Sequence, residues 1–426
     1  MDPVVAAAVA EAHRTEWGRV LAAAARLTGD LDAAEECAQD AYAEALGSWM
    51  AHGVPDRPGA WLTTVARRRA MDIIRRRDIL RAKLPLLAGP DPAGGDGDDG
   101  DAAMPDDRLR LIFICCHPAL APDARVALTL RLLCGLTTAE VASAFVTSEP
   151  TMAARITRAK KKIATARIPY RVPGPGELPE RLAAVLDVVH LVFTTGHTAP
   201  AGAALQRRDL AERALDLARM LRLLLPDEPA VAGLLALILL TDARRGARTD
   251  PNGRLLLISE QDRARWDHDE ISEGLTLARE ALRSRPYTRY PLMAAIAATH
   301  ATAPAPGDPN WAQILSLYDE LIAIWPSPIV ALNRAVAVGE ARGPAAGLAA
   351  LDVLAAEPQL AGYHYLPAAR AEYLRRLDRN DEARLAYDEA LLLAGNATER
   401  EFLAARRGQL PPGHGGAGHG GAGHGE

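Results

Sequence analysis

Three stretches of this chain have no means of joining a folded core, and they confine the rest to three helical blocks. The first, 88–105, contains Gly-Gly-Asp-Gly-Asp-Asp-Gly-Asp and no apolar side chain larger than Met. It buries too little surface to offset the entropy of ordering, so a flexible, self-repelling acidic linker is expected. The second, 171–179, sets Pro173, Gly174, Pro175, Gly176 and Pro179 in quick succession, which stops helix continuation and marks a domain boundary. The third, 408–426, ends in a Gly/His-rich low-complexity run and is expected to be disordered.

The blocks between these breaks are 1–87, 106–170 and 180–407. Ala, Leu and Arg dominate them, apolar residues make up 49% of the chain and aromatics only 4%, a composition of strong helix formers. An all-α protein is expected. The net charge of −5 argues against a nucleic-acid binder until the charges are located. Between Arg67 and Lys83 lie eight basic residues against two acidic, and between Arg155 and Arg167 six against none. Two basic patches on a mildly acidic chain suit contact with DNA at two places.

Cys37, Cys115, Cys116 and Cys134 show no disulfide framework, and the N-terminus has no secretory pattern, so a cytoplasmic protein is expected. The longest apolar run, Ala230 to Leu240, is about half of the roughly 20 residues that a membrane-spanning helix needs and predicts a buried helix.

In the first block, DAAEECAQDAYAEAL from Asp32 spaces Asp32 and Glu35 as the N-cap and N3 residues of a helix. Ala34, Cys37, Ala38, Ala41 and Ala45 share a packing face, which leaves Glu36, Gln39, Asp40 and Glu44 towards solvent or a partner. The stretch Trp61 to Arg77, WLTTVARRRAMDIIRRR, sets Leu62, Val65, Ala66, Ala70 and Ile73 on one face and Thr64, Arg67, Arg68, Met71 and Arg75 on the other. Arg69 falls on the apolar side, and snorkelling is the account of it. By default such a cationic face is solvated surface and Trp61 is core. An aromatic heading a basic helix is also what single-stranded DNA binding requires: charge for phosphates and a ring for an unstacked base.

In the second block, Thr137 and Glu140 are spaced as a capping box opening AEVASAF; Val146-Thr147 turns, and Ser148 caps EPTMAARITRAKKKI with Pro150 in its first turn. Met152, Ile156, Ala159 and Ile163 form a packing stripe, and Thr151, Arg155, Arg158 and Lys162 form a second, free one. That is the construction of a recognition helix: Arg155 and Arg158 suited to guanine edges, Lys160, Lys161 and Lys162 to phosphates. Cys115-Cys116-His117 has no second ligand pair at metal spacing and reads as small buried hydrophobes beside a boundary His. No metal and no cofactor is expected.

The order of these parts resembles the extracytoplasmic-function (ECF) branch of the sigma-70 family, and DDRLRLIFICCHPAL is similar to a string typical of one sub-branch with a long C-terminal extension related to tetratricopeptide repeats. By this resemblance 1–87 is sigma region 2, with Glu36, Gln39, Asp40 and Glu44 facing core RNA polymerase and Trp61, Thr64, Arg67, Arg68 and Arg75 facing the −10 element. It makes 106–170 sigma region 4, with Ser148, Thr151, Arg155, Arg158, Lys161 and Lys162 at the −35 element. Phe193-Thr194-Thr195-Gly196-His197 departs from the Phe-Asn-Glu-Gly-Tyr string usual in the sub-branch.

From Glu180 helices of about a dozen residues alternate with Pro- or Gly-marked turns, as in stacked helix pairs. The last, YLPAARAEYLRRLDRNDEARLAYDEALLLAG, places Ala369, Leu377, Ala383, Tyr387 and Ala390 much as a tetratricopeptide unit does. A protein or peptide partner on a concave face and regulation of the sigma domains in cis are the expected roles. Arg244-Arg245 and the segment around Trp266 are read first as ion pairs between helices, second as a binding site. The alternative function is a one-component helix-turn-helix regulator with a helical-repeat sensor, which leaves the Trp61-led helix without a purpose. An enzyme is not expected: GxxxxGK and GxSxG motifs are missing.

Overall fold

The computed structural model describes residues 2–83, 107–145, 147–305 and 308–411, with the backbone alone for 80–83. The acidic linker expected at 88–105 and the Gly/His run from residue 412 lie outside the described residues, as does Val146 of the expected turn. Every element among the described residues is helical, apart from two isolated β-bridges. The chain forms two compact units, 1–192 and 193–426.

In the first unit, α1 (Pro3–Thr28), α2 (Leu31–His52) and α3 (Pro58–Lys83) pack on one another. The cap of α2 corrects the sequence expectation: Asp30, not Asp32, is the N-cap, its Oδ1 accepting from the Asp32 and Ala33 amides at 2.9 and 3.0 Å. Glu35 is therefore free of the cap. The expected packing faces hold, because Ala34, Cys37, Ala38, Ala41 and Ala45 of α2 and Leu62, Val65, Ala66 and Ala70 of α3 are all buried, with Ile73 half-buried. Small side chains on α1, Ala22 to Ala25, let the three backbones approach closely.

The chain continues as α4 (Asp107–Cys115), α5 (Pro122–Leu128) running into a π-helical turn (Thr129–Leu133), α6 (Thr138–Ala144) and α7 (Glu149–Thr165). α4 and the π-turn pack against α1. The approach is tight: a Cβ on Gly18 would lie 2.6 Å from the Leu133 carbonyl oxygen. Tyr170 donates to the Ala22 carbonyl at 2.9 Å, and Arg26 pairs with Asp107 at 3.2 Å. α8 (Leu178–His197) carries Arg181, whose guanidinium donates to the Phe113 carbonyl at 2.6 Å.

The second unit is built of α9 (Arg208–Leu224), α10 (Pro229–Asp242), α11 (His268–Ala281), α12 (Arg289–Ala301), α13 (Trp311–Ile324), α14 (Pro328–Arg342), α15 (Pro344–Val353), α16 (Tyr365–Arg376), α17 (Asn380–Leu393) and α18 (Ala397–Gly408). Chain neighbours pack pairwise, as short connections favour. α10 is the buried helix expected from the apolar run, with Val231 through Leu240 all out of solvent. α16 and α17 pair, burying Ala383, Tyr387 and Ala390 with Ala369 and Leu377 packed at the margin. Asn396 is fully buried and caps α18, while its Nδ2 donates to the carbonyls of Ala199 and Ala204 at 3.1 and 2.9 Å. No helix among the described residues is long and apolar enough to cross a membrane.

Candidate nucleic-acid interface

Two helices of the first unit carry the cationic faces. On α3 the residues opposite the core, Thr64, Arg67, Arg68, Met71 and Arg75, are all exposed. Trp61 at the head of the helix is half-buried, edge-to-face on Trp49 with ring centroids 5.7 Å apart, and Thr64 Oγ1 donates back to the Ala60 carbonyl at 2.9 Å. The ring is thus held in place with part of its surface accessible.

The acidic face of α2 lies beside this basic one. Glu36, Gln39 and Asp40 are exposed, whereas Glu44 receives Arg68 at 2.7 Å and Arg69 at 3.0 Å. Burial would lift the Glu44 carboxyl, but the two arginine hydrogen bonds outweigh it and hold it below the usual carboxylate range. Arg69, which the helical period puts on the apolar side, is bent out to Glu44 and to Asp40, 4.0 Å away. Arg77 similarly reaches Asp30 at 3.5 Å. Among the described residues Arg75 keeps only a 3.9 Å approach to Asp72.

On α6 and α7 the expected capping is present. Thr137 Oγ1 accepts from the Glu140 amide at 3.2 Å, and Glu140 Oε2 accepts from the Thr137 amide at 2.7 Å. Ser148 caps α7 through the Thr151 amide, with their hydroxyls 2.8 Å apart. Met152, Ile156, Ala159 and Ile163 are buried, and Ser148, Thr151, Arg158, Lys161 and Lys162 are exposed. Arg155 is half-buried, lying over the Phe145 ring at 5.5 Å and pairing with Asp123 at 3.4 Å.

Lys160 departs from the expectation of a phosphate contact. It is turned inward onto α2, hydrogen-bonded to Glu35 and, at 2.7 Å, to Asp32, and Glu35 also takes Arg131 at 3.0 Å. Burial alone would lower the Lys160 pKa; Glu35 and Asp32 outweigh it and raise it above the ordinary lysine value. The physical reason is that the Glu35 carboxylate, 9% exposed, needs counter-charge in place of water. A sequence signal existed in an acid amid the alanines of α2. Its partner Lys160 lies 125 residues away, beyond the reach of any local pattern.

Cys115 and Cys116 are buried, and burial pushes the Cys116 thiol up to about 12. Among the described residues no group of three or more His, Cys, Asp or Glu side chains is placed to hold a metal.

Residues 14–79 match the family described as Sigma-70 region 2, and residues 110–163 match Sigma-70, region 4. The first range runs from within α1 through most of α3, and the second from within α4 through most of α7. The chain belongs to the sigma-70 family. It is an ECF-type factor with a C-terminal extension, and residues 181–282 of that extension match a family of unknown function, DUF6596. This sigma factor is similar to an uncharacterized protein of Rhizobium meliloti, 41% identical over 389 residues, which cover 90% of this chain and 92% of that one. It is also similar to the probable ECF RNA polymerase sigma factor SigI of Mycobacterium tuberculosis, 29% identical over 170 residues, or 39% of this chain and 56% of SigI. No solved structure matches the chain.

Proposed function

We propose that this sigma factor binds core RNA polymerase through Glu36, Gln39, Asp40 and Glu44, and reads the −10 element through Trp61, Thr64, Arg67, Arg68 and Arg75. The −35 element is read through Ser148, Thr151, Arg155, Arg158, Lys161 and Lys162. In this reading 1–87 and 106–170 are the promoter-binding domains, joined by 88–105, and 180–407, reached through the linker 171–179, regulates them. One observation carries it: two separate helices each fix an apolar stripe in the interior and leave a cationic stripe in solvent, as phosphate and base-edge contacts require. The half-buried Trp61 ring at the head of α3 suits stacking on a base drawn out of the duplex.

Transcription reconstituted from core polymerase and the purified chain tests this, on promoters found by mapping transcript starts after overexpression. Specific initiation that Arg158→Ala or Arg67→Ala weakens is expected. A chain that cannot bind core, or that binds it and starts nowhere specific, refutes the reading. For the extension, a cut after Val192 is preferable to one near Pro173, because Arg181 of α8 donates to the Phe113 carbonyl. The shortened chain is expected to differ from the full one in promoter activity, and equal transcription refutes the regulatory role.

A further inference from the structure

A polar cavity in the extension is walled by the ends of four helices. Gly196 and His197 close α8, Arg208 and Glu212 stand at the start of α9, Asp242 ends α10 and Glu270 lies in the first turn of α11, with Arg245 between the last two. All of them fall within 181–282, the stretch that matches the family of unknown function. Gly196 and His197 also end the string 193–197 that departs from its sub-branch. The walls are firm: the Gly196 carbonyl accepts from the Arg207 amide at 2.7 Å, and a Cβ on Gly196 would run into the Ala211 backbone. The space is about 80 Å³. Since about 150 Å³ seats a benzene molecule, this cavity takes a head group of a few atoms.

The lining is short of positive charge. Three carboxylates, Glu212, Asp242 and Glu270, stand against the guanidiniums of Arg208 and Arg245. Arg245 alone serves Asp242 at 2.7 Å and Glu270 at 2.8 Å, with Asp267 a further 3.8 Å contact. The Asp242 and Glu270 side chains are only 11% and 13% exposed, and burial outweighs Arg245 in raising both carboxyls above their ordinary values. Arg208 and Glu212 are exposed at the rim and make no hydrogen bond or ion pair with any described residue. On the opposite wall His197 Nδ1 is buried without a partner. Burial, then the charges of Arg248 and Arg244, bring this ring down to about 2, so it is neutral at pH 7 and one of its nitrogens keeps a lone pair. A buried polar atom left in that condition is destabilising unless something completes it. The acceptors on Glu212, Asp242 and His197 equal in number the three N–H donors of an ammonium. Among the described residues no group of three or more His, Cys, Asp or Glu is placed to hold a metal, so the cation that fits is an organic one.

We propose that this cavity binds the primary ammonium group of a small molecule through Glu212, Asp242 and His197, while Arg208 at the rim meets a carboxylate, so that an α-amino acid is the class of ligand it takes. The ammonium supplies the charge that one guanidinium cannot supply to two shielded carboxylates, and it gives His197 the donor it lacks. The donor fork of Arg208 matches a carboxylate bidentately. The site consists of extension residues alone, so its failure leaves promoter recognition untouched.

Thermal unfolding of the full chain in glycine, methylammonium chloride or sodium acetate, each against sodium chloride at equal ionic strength, tests the site, with isothermal titration of glycine as the direct reading. The melting temperature of the unaltered chain is expected to rise with the logarithm of glycine concentration, to rise at higher concentration with methylammonium, and to follow chloride in acetate. Methylammonium acting as well as glycine overturns the amino-acid class and leaves a plain amine. Glu212→Gln, at an exposed position with no partner, is expected to weaken glycine binding on the order of tenfold while melting with the parent in chloride. His197→Phe, which keeps a ring against Phe193 and removes the acceptor, serves as the second variant. Arg219→Gln, which removes an exposed pair with Glu273 in the same unit, should leave the response intact. A rise in glycine shared equally by the parent and both variants, acetate matching glycine, or no excess over chloride for either amine would overturn the proposal.

Discussion

The helices α3 and α7 share one construction, a row of apolar residues backed by arginines and lysines, yet the protein uses their charges differently. On α3 the arginines that are engaged are tied close by: Arg68 and Arg69 reach Glu44 of the adjoining α2, and Arg77 reaches Asp30, its N-cap. These pairs sit at the surface, where water and salt screen them. On α7 Arg158, Lys161 and Lys162 stay in solvent, while Lys160 is drawn into the interior onto Glu35. The charge density of a helix therefore does not say which of its charges are available. The carboxylates opposite decide that.

The deepest carboxylate should show the difference most clearly. Glu35→Ala leaves Lys160 with only the exposed Asp32 and Arg131 with only the Leu136 carbonyl, both cations being largely shielded from water, and is expected to cost about 3 kcal/mol, read from the urea midpoint of unfolding. A loss below about 1 kcal/mol would mean that the two cations swing out to water, and α7 would then be no different from α3. The pH dependence sharpens the point. Because the folded-state pKa of Lys160 is raised, its contribution is complete below the ordinary lysine value and disappears as pH climbs through the higher folded one. Stability of the parent should fall over that alkaline range, and Lys160→Met should flatten the fall; parallel curves would remove Lys160 from the account.

Arg158→Ala is expected to weaken binding to duplex promoter DNA about tenfold with an unchanged urea midpoint, since the side chain is exposed and no ion pair holds it among the described residues. The smallest effect belongs to α3. Arg68→Ala should change stability by less than about 1 kcal/mol, because the pair with Glu44 is open to solvent and Arg69 keeps its own bond there. A larger loss would place α3 with α7 in depending on its charges for the fold.

How far the sequence carried the reading follows from the range of each interaction. The stripe Met152, Ile156, Ala159 and Ile163, the Thr137–Glu140 box and the Ser148 cap were legible because each is completed within one or a few helical turns. The exposed face of α3 was legible for the same reason. Asp32 passed for the N-cap of α2 because Asp30 and Asp32 offer the same chemistry two residues apart, and only the start of the helix distinguishes them. Lys160 could not be placed by pattern. Its three-lysine run reads as solvated until a distant acid is folded against it. Arg244 and Arg245 show the same limit, since an identical pair of letters hides one residue bound to Asp242 and Glu270 and another bound to nothing described.

At Gly18 the α1 backbone meets the end of the π-turn so closely that a methyl group would press on the Leu133 carbonyl. The spacing between the two halves of the first unit is thus set by a hydrogen atom. Any other amino acid there acts as a wedge, driving apart the very helices whose contact allows Lys160 to reach Glu35, and a tolerance for Ala at this point would be a direct gauge of how much slack that seam contains.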